Sequence, residues 1–138
     1  MRPVDLIELH DSVAELRREA RSVVIDLRPA YVHHWEDPGT GWIGTGLTQD
    51  AMIEIGCRPE SVSALGPVKV RDGWLQVGDK TFELIPVPLE AIGPVVALLD
   101  LANGASVKIK GTHVRTEFLG AATFVEALPP EWAPDVDE

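Results

Sequence analysis

The feature that most constrains this chain is a two-residue hydrophobic period, repeated in short runs between turn residues. In "SVVIDLR", Val23, Ile25 and Leu27 fall on one face, and Val24, Asp26 and Arg28 on the other. In "SVKIKG", Val107 and Ile109 oppose Ser106, Lys108 and Lys110. In "HVRTEF", Val114, Thr116 and Phe118 oppose Arg115 and Glu117. A helix groups residues three and four apart, so alternation of this kind makes a continuous apolar face only in an extended strand. The expectation is an all-β protein with minor α content, an antiparallel β-sandwich or partly open β-barrel of roughly eight to ten strands.

Turn chemistry refines this. Asp72-Gly73 in "RDGW" and Asn103-Gly104 in "LANGAS" are dipeptides that tolerate the positive φ of type I′ turns, so each predicts a hairpin. Gly120-Ala121 predicts a third reversal, after which Phe124, Glu126 and Leu128 alternate with Val125 and Ala127. The C-terminal half therefore reads as a β-meander. Near the start, "VDLIELHDSVAELRREARS" has competing signals: Asp11 or Ser12 could cap a helix with Glu15 completing a capping box. The apolar stripe of Val13 and Leu16 stops at "RREARS", however, which favours a strand over Ser12–Glu19 turning at Ala20-Arg21 into the Val23 strand. "PLEAIGPV" suggests a short helix ended by Gly93-Pro94. "EDPGTGWIGTG" reads as a long loop without the Lys-Ser/Thr pair or strand-turn-helix setting of a phosphate loop. Residues 1–128 form one β domain, and 129–138, "PPEWAPDVDE", an acidic proline-containing tail whose Trp132 could dock on the body or on a partner.

Twenty-two acids against 12 bases give a net charge of −10. Phosphates would be repelled, which disfavours nucleic acid and anionic membrane and favours a basic partner. The longest mainly apolar run, "IPVPLEAIGPVVALLDLA", is broken by Glu90, Asp100, Gly93 and prolines, so no transmembrane helix is expected. The N-terminus lacks a signal-peptide pattern, and a single cysteine, Cys57, permits no intrachain disulfide. A cytoplasmic protein with an inert, buried thiol is the expectation, and the oligomeric state stays open.

Two groups of residues qualify as candidate sites. His10, Asp11, His33 and His34 are the right donors for a metal-dependent hydrolase. Neighbouring strand residues point to opposite faces, though, so His33 and His34 cannot share one ion, and a capping or hairpin role for His10 and Asp11 is favoured. No serine has a nucleophile-elbow setting. The aromatic-acidic stretch Tyr31, Trp35, Glu36, Asp37 and Trp42 fits a recognition surface, with Trp42 foremost, although Tyr31 and Trp35 could instead pack the end of the barrel or sandwich.

The run "LHDSVAEL", the strand "VVIDL" and the long C-terminal stretch from "VRDGWLQV" to "FVEALP" resemble small β-rich bacterial proteins of uncharacterised families. Some of these look like immunity proteins of polymorphic toxin systems. The resemblance implies a small all-β fold without a cofactor, whose work is binding a basic, toxin-like protein. The leading expectation is thus a non-enzymatic interaction protein with an acidic and aromatic surface. The alternatives are a small-molecule-binding β-barrel and the hydrolase at His10, Asp11, His33 and His34.

Overall fold

The computed structural model describes residues 3–134. Ten strands follow in order: β1 Val4–Glu8, β2 Val13–Arg18, β3 Ser22–Glu36, β4 Ile43–Gly56, β5 Leu65–Val77, β6 Lys80–Phe82, β7 Leu84–Pro86, β8 Leu89–Leu101, β9 Ser106–Phe118 and β10 Thr123–Leu128. Two short 3-10 turns, Pro59–Ser61 and Pro130–Trp132, are the only helical pieces among the described residues.

Six strands close on themselves. β3 pairs with β4, β4 with β9, β9 with β8, β8 with β5, β5 with β2, and β2 returns to β3, each pair antiparallel. The alternation read from the sequence decides what lies inside. Val23, Ile25 and Leu27 of β3, Ala51, Ile53 and Ile55 of β4, and Leu99 and Leu101 of β8 are each no more than 1% exposed. With Ala14, Leu16, Leu75, Ile109 and Val114 they form one continuous core. The lumen of a six-stranded barrel is filled by such side chains.

β3 and β4 are too long for the barrel and leave it together. Their register shifts between Leu27 and Ala30, at the cis Arg28–Pro29 peptide, and the outer halves continue as a hairpin. Proline is tolerated in a sheet at such irregularities because the ladder is already interrupted. β1 joins the outer half of β3, β7 joins β1, and β10 joins the outer half of β4. The result is a wing of order β7-β1-β3-β4-β10 beside the barrel.

The predicted all-β class holds, as do the strand near Ser12–Glu19 and the Asn103-Gly104 reversal. There only Gly104 has positive φ, and Leu101 O accepts from the Gly104 N–H at 3.0 Å, so the turn is not type I′. Other expectations are corrected. β5 runs straight through Asp72-Gly73, and the chain reverses at Gly78-Asp79 instead. Gly73 is required because the backbone of Leu98 lies where its Cβ would stand, a close approach rather than a turn. "PLEAIGPV" is the start of β8, not a helix, with Gly93-Pro94 at a register shift. The loop at "EDPGTGWIGTG" shrinks to residues 37–42, since Gly44 and Gly46 belong to β4. The meander is broken twice: β7 leaves it to pair with β1, and β10 follows β9 in the same direction along β4, so the chain does not reverse at Gly120-Ala121. Finally, Ser22–Leu27 is buried on both faces, the one that carries Val24 and Asp26 included. Asp26 on the outer face is held by the Arg17 guanidinium at 2.7 Å, which raises the Arg17 pKa.

Candidate functional site

The wing gathers nearly all the residues singled out in the sequence, and the strand register sorts them by face. Val4, Trp35, Gly44 and Leu128 form one cross-strand row; Leu6, His33, Gly46 and Glu126 form the next; Glu8, Tyr31, Thr48 and Thr123 form the third. The opposite face carries the rows Asp5, His34, Thr45, Ala127 and Ile7, Val32, Leu47, Phe124.

Aromatic rings lie over glycines on the first face. A Cβ on Gly44 would overlap the Trp35 ring, and one on Gly46 would overlap the Tyr31 hydroxyl. The glycines are therefore seats for the rings. Trp35 is 0% exposed and offers no contact surface, which corrects its place among the partner-binding candidates. Tyr31 is half-buried and donates its hydroxyl to Glu126 at 2.5 Å. Burial, reinforced by the adjacent Glu126 carboxylate, pushes the Tyr31 pKa up.

His33, also buried, faces Glu8 at 3.0 Å through Nε2, with Tyr31 edge-on to its ring and Trp132 stacked on it at 6.2 Å between centroids. The segment after β10 thus docks on the body through Trp132, one of the two roles open to it from the sequence. His34 points the other way, to Asp5 at 2.5 Å and Glu36 at 3.0 Å. Burial lowers its pKa, but the hydrogen bonds to Asp5 and Glu36 outweigh this and raise it overall.

His10 and Asp11 form the turn between β1 and β2. Asp11 has a φ of 72°, and Ser12 anchors the turn by donating to Glu8 O at 2.8 Å and accepting from the Tyr31 N–H at 3.0 Å. The turn brings Glu8, His10 and Asp11 within 4.8 Å of one another. His33 reaches this group only through Glu8, and His34 does not reach it, so the four proposed metal ligands do not converge. Lys69 approaches Asp11 at 3.6 Å, an ion pair that competes with any cation there.

Glu36, exposed, and Trp42, half-buried, flank the hairpin tip. Asp37 serves the loop itself, accepting from the Gly39 N–H at 2.8 Å and the Gly41 N–H at 3.2 Å. Cys57, just after β4, is partly exposed rather than fully buried, and the partial burial it has raises the thiol pKa away from reactivity.

Charge separates the wing from the barrel. Residues 3–11, 30–50 and 118–134, which form the wing apart from β7, contain eight acids and neither Lys nor Arg. They are Asp5, Glu8, Asp11, Glu36, Asp37, Asp50, Glu126 and Glu131. Residues 12–29 and 51–117 contain eleven acids and eleven Lys or Arg. The barrel is balanced, and the excess negative charge of the described residues sits on the wing. Glu8, Glu126 and Glu131 were not singled out as site residues from sequence, although the absence of Lys and Arg from 30–50 and 118–134 was legible there.

Comparison with family models, with curated proteins and with solved structures finds no match to this chain. No helix among the described residues is long and apolar enough to cross a membrane.

Proposed function

We propose that the protein is a non-enzymatic binding module whose acidic wing receives a basic protein partner, in the manner of an immunity protein covering a cationic toxin surface. The observation that carries this reading is the charge segregation: a neutral barrel bearing a wing with eight carboxylates and no Lys or Arg. Concentrated like charge steers an oppositely charged protein to one face and speeds encounter, whereas the same charge spread over the surface would only aid solubility. The packed lumen argues against the small-molecule barrel, because Ile25, Leu27, Ile53 and Ile55 occupy the space a ligand would need. The divergence of His33 and His34 argues against the hydrolase.

Two variants of equal net charge test the reading. Glu36→Gln, Asp50→Asn and Glu131→Gln remove three wing charges; Glu60→Gln, Asp79→Asn and Glu90→Gln remove three from the barrel. Titrated with polylysine at low ionic strength, the wing variant should lose about tenfold in affinity and show a shallower salt dependence, while the barrel variant stays near the parent. Equal losses would mean that net charge alone drives association.

A further inference from the structure

We infer that the free edge of β10 is the docking strand for this partner, and that it accepts an extended segment alternating basic and apolar residues. This rests on the acidic-wing reading and specifies how the wing is used.

The wing has two edges, and they differ. β7 has three residues and includes Pro86, with Pro88 just beyond, so its edge is short and proline-blocked. β10 has six residues, pairs only with β4 among the described residues, and contains neither Lys nor Pro to discourage pairing. Its one irregularity is a bulge at Val125. Five of its six residues are exposed, including Phe124 at 67% and Val125 at 47%. An edge of this kind presents backbone donors and acceptors ready for strand addition.

The side-chain rows say what should be added. The row Ile7, Val32, Leu47, Phe124 begins in the core, with Ile7 and Val32 at 0% exposure, and runs out to Phe124 at the edge. An apolar residue on the next strand would extend that row and bury Phe124. On the other face, the row Leu6, His33, Gly46, Glu126 ends on a carboxylate, so the neighbouring residue of the incoming strand is matched by a cation. Successive residues of a strand alternate faces, which converts these two demands into an alternating basic and apolar sequence. A second copy of this chain is disfavoured, because pairing β10 with β10 would bring two wings of eight carboxylates together.

The experiment uses the intact protein and two synthetic peptides: one of alternating lysine and valine, and the same peptide N-methylated on every second residue, which keeps the charge and side chains but loses hydrogen-bonding along one edge. Affinity is measured by titration, and β10 by amide exchange. The expected result is saturable binding of the parent peptide, slowed exchange within Thr123–Leu128, and about tenfold weaker binding of the methylated peptide. Equal binding of both peptides without protection at β10 would overturn the docking strand and leave the acidic wing standing. Failure of both to bind at low ionic strength would overturn the wing reading and the docking strand with it. Protection of β10 in a dimer without peptide would assign the edge to a second copy and also overturn the inference.

Discussion

The Trp35 ring is buried over Gly44, and its Nε1 has no hydrogen-bond partner. Its contribution is therefore packing. Trp35→Ala should cost about 3–5 kcal/mol, whereas Trp35→Phe should cost less than half as much because no hydrogen bond is lost. Urea unfolding of the two variants checks the ordering. Gly44→Ala should destabilise by about 1–3 kcal/mol, since the added methyl meets the Trp35 ring and the strand pairing fixes both backbones. If Gly44→Ala were neutral in the same assay, the ring would not be seated there.

At the scale of elements, β1 is held to β3 partly by titratable side chains. The His34 pKa is raised above the ordinary 6.5 by Asp5 and Glu36, against the lowering effect of burial. A pKa raised on folding contributes stability that is complete below about pH 6.5 and is lost as pH rises through the folded value. The β1–β3 ladder should therefore open more readily at pH 8 than at pH 6, seen as faster amide exchange of Val4–Glu8 after correction for the intrinsic rate. His34→Gln should flatten that dependence. β4 and β9 have the opposite sign. Glu54 accepts from Ser22 at 2.8 Å and from Arg115 at 3.0 Å, and these lower its pKa against the opposing effect of burial. Its contribution is present above about pH 4.5 and lost as pH falls through the depressed value. Thermal melts of the parent and Glu54→Gln should converge as the pH is lowered.

For the whole molecule, the antiparallel closure has a kinetic consequence. β10 pairs Thr123 with Thr48, and closing the barrel joins β9 to β4 and β5 to β2, all distant in sequence. Non-local pairing must meet loop-closure entropy before contacts compensate it, so folding in milliseconds to seconds is expected. Stopped-flow refolding would show this, and a microsecond phase accounting for all the signal would contradict it. The same long-range pairings create the charge pattern, because they bring segments 3–11, 30–50 and 118–134, each without Lys or Arg, into one wing.

The period-two pattern by itself determined the all-β class, the interrupted apolar stripe the strand near Ser12–Glu19, and the Asn103-Gly104 dipeptide a reversal though not its type, because each is a local property of the chain. The Asp72-Gly73 turn failed on the same local logic. A glycine required by a neighbouring backbone and one required by a turn look alike until Leu98 is in place beside it. Only the tertiary structure decided that Trp35 is core, that His33 and His34 serve different carboxylates, and that β10 lies on β4. Each of these depends on the register of strands far apart in sequence, and register is set by how the whole apolar pattern closes on itself.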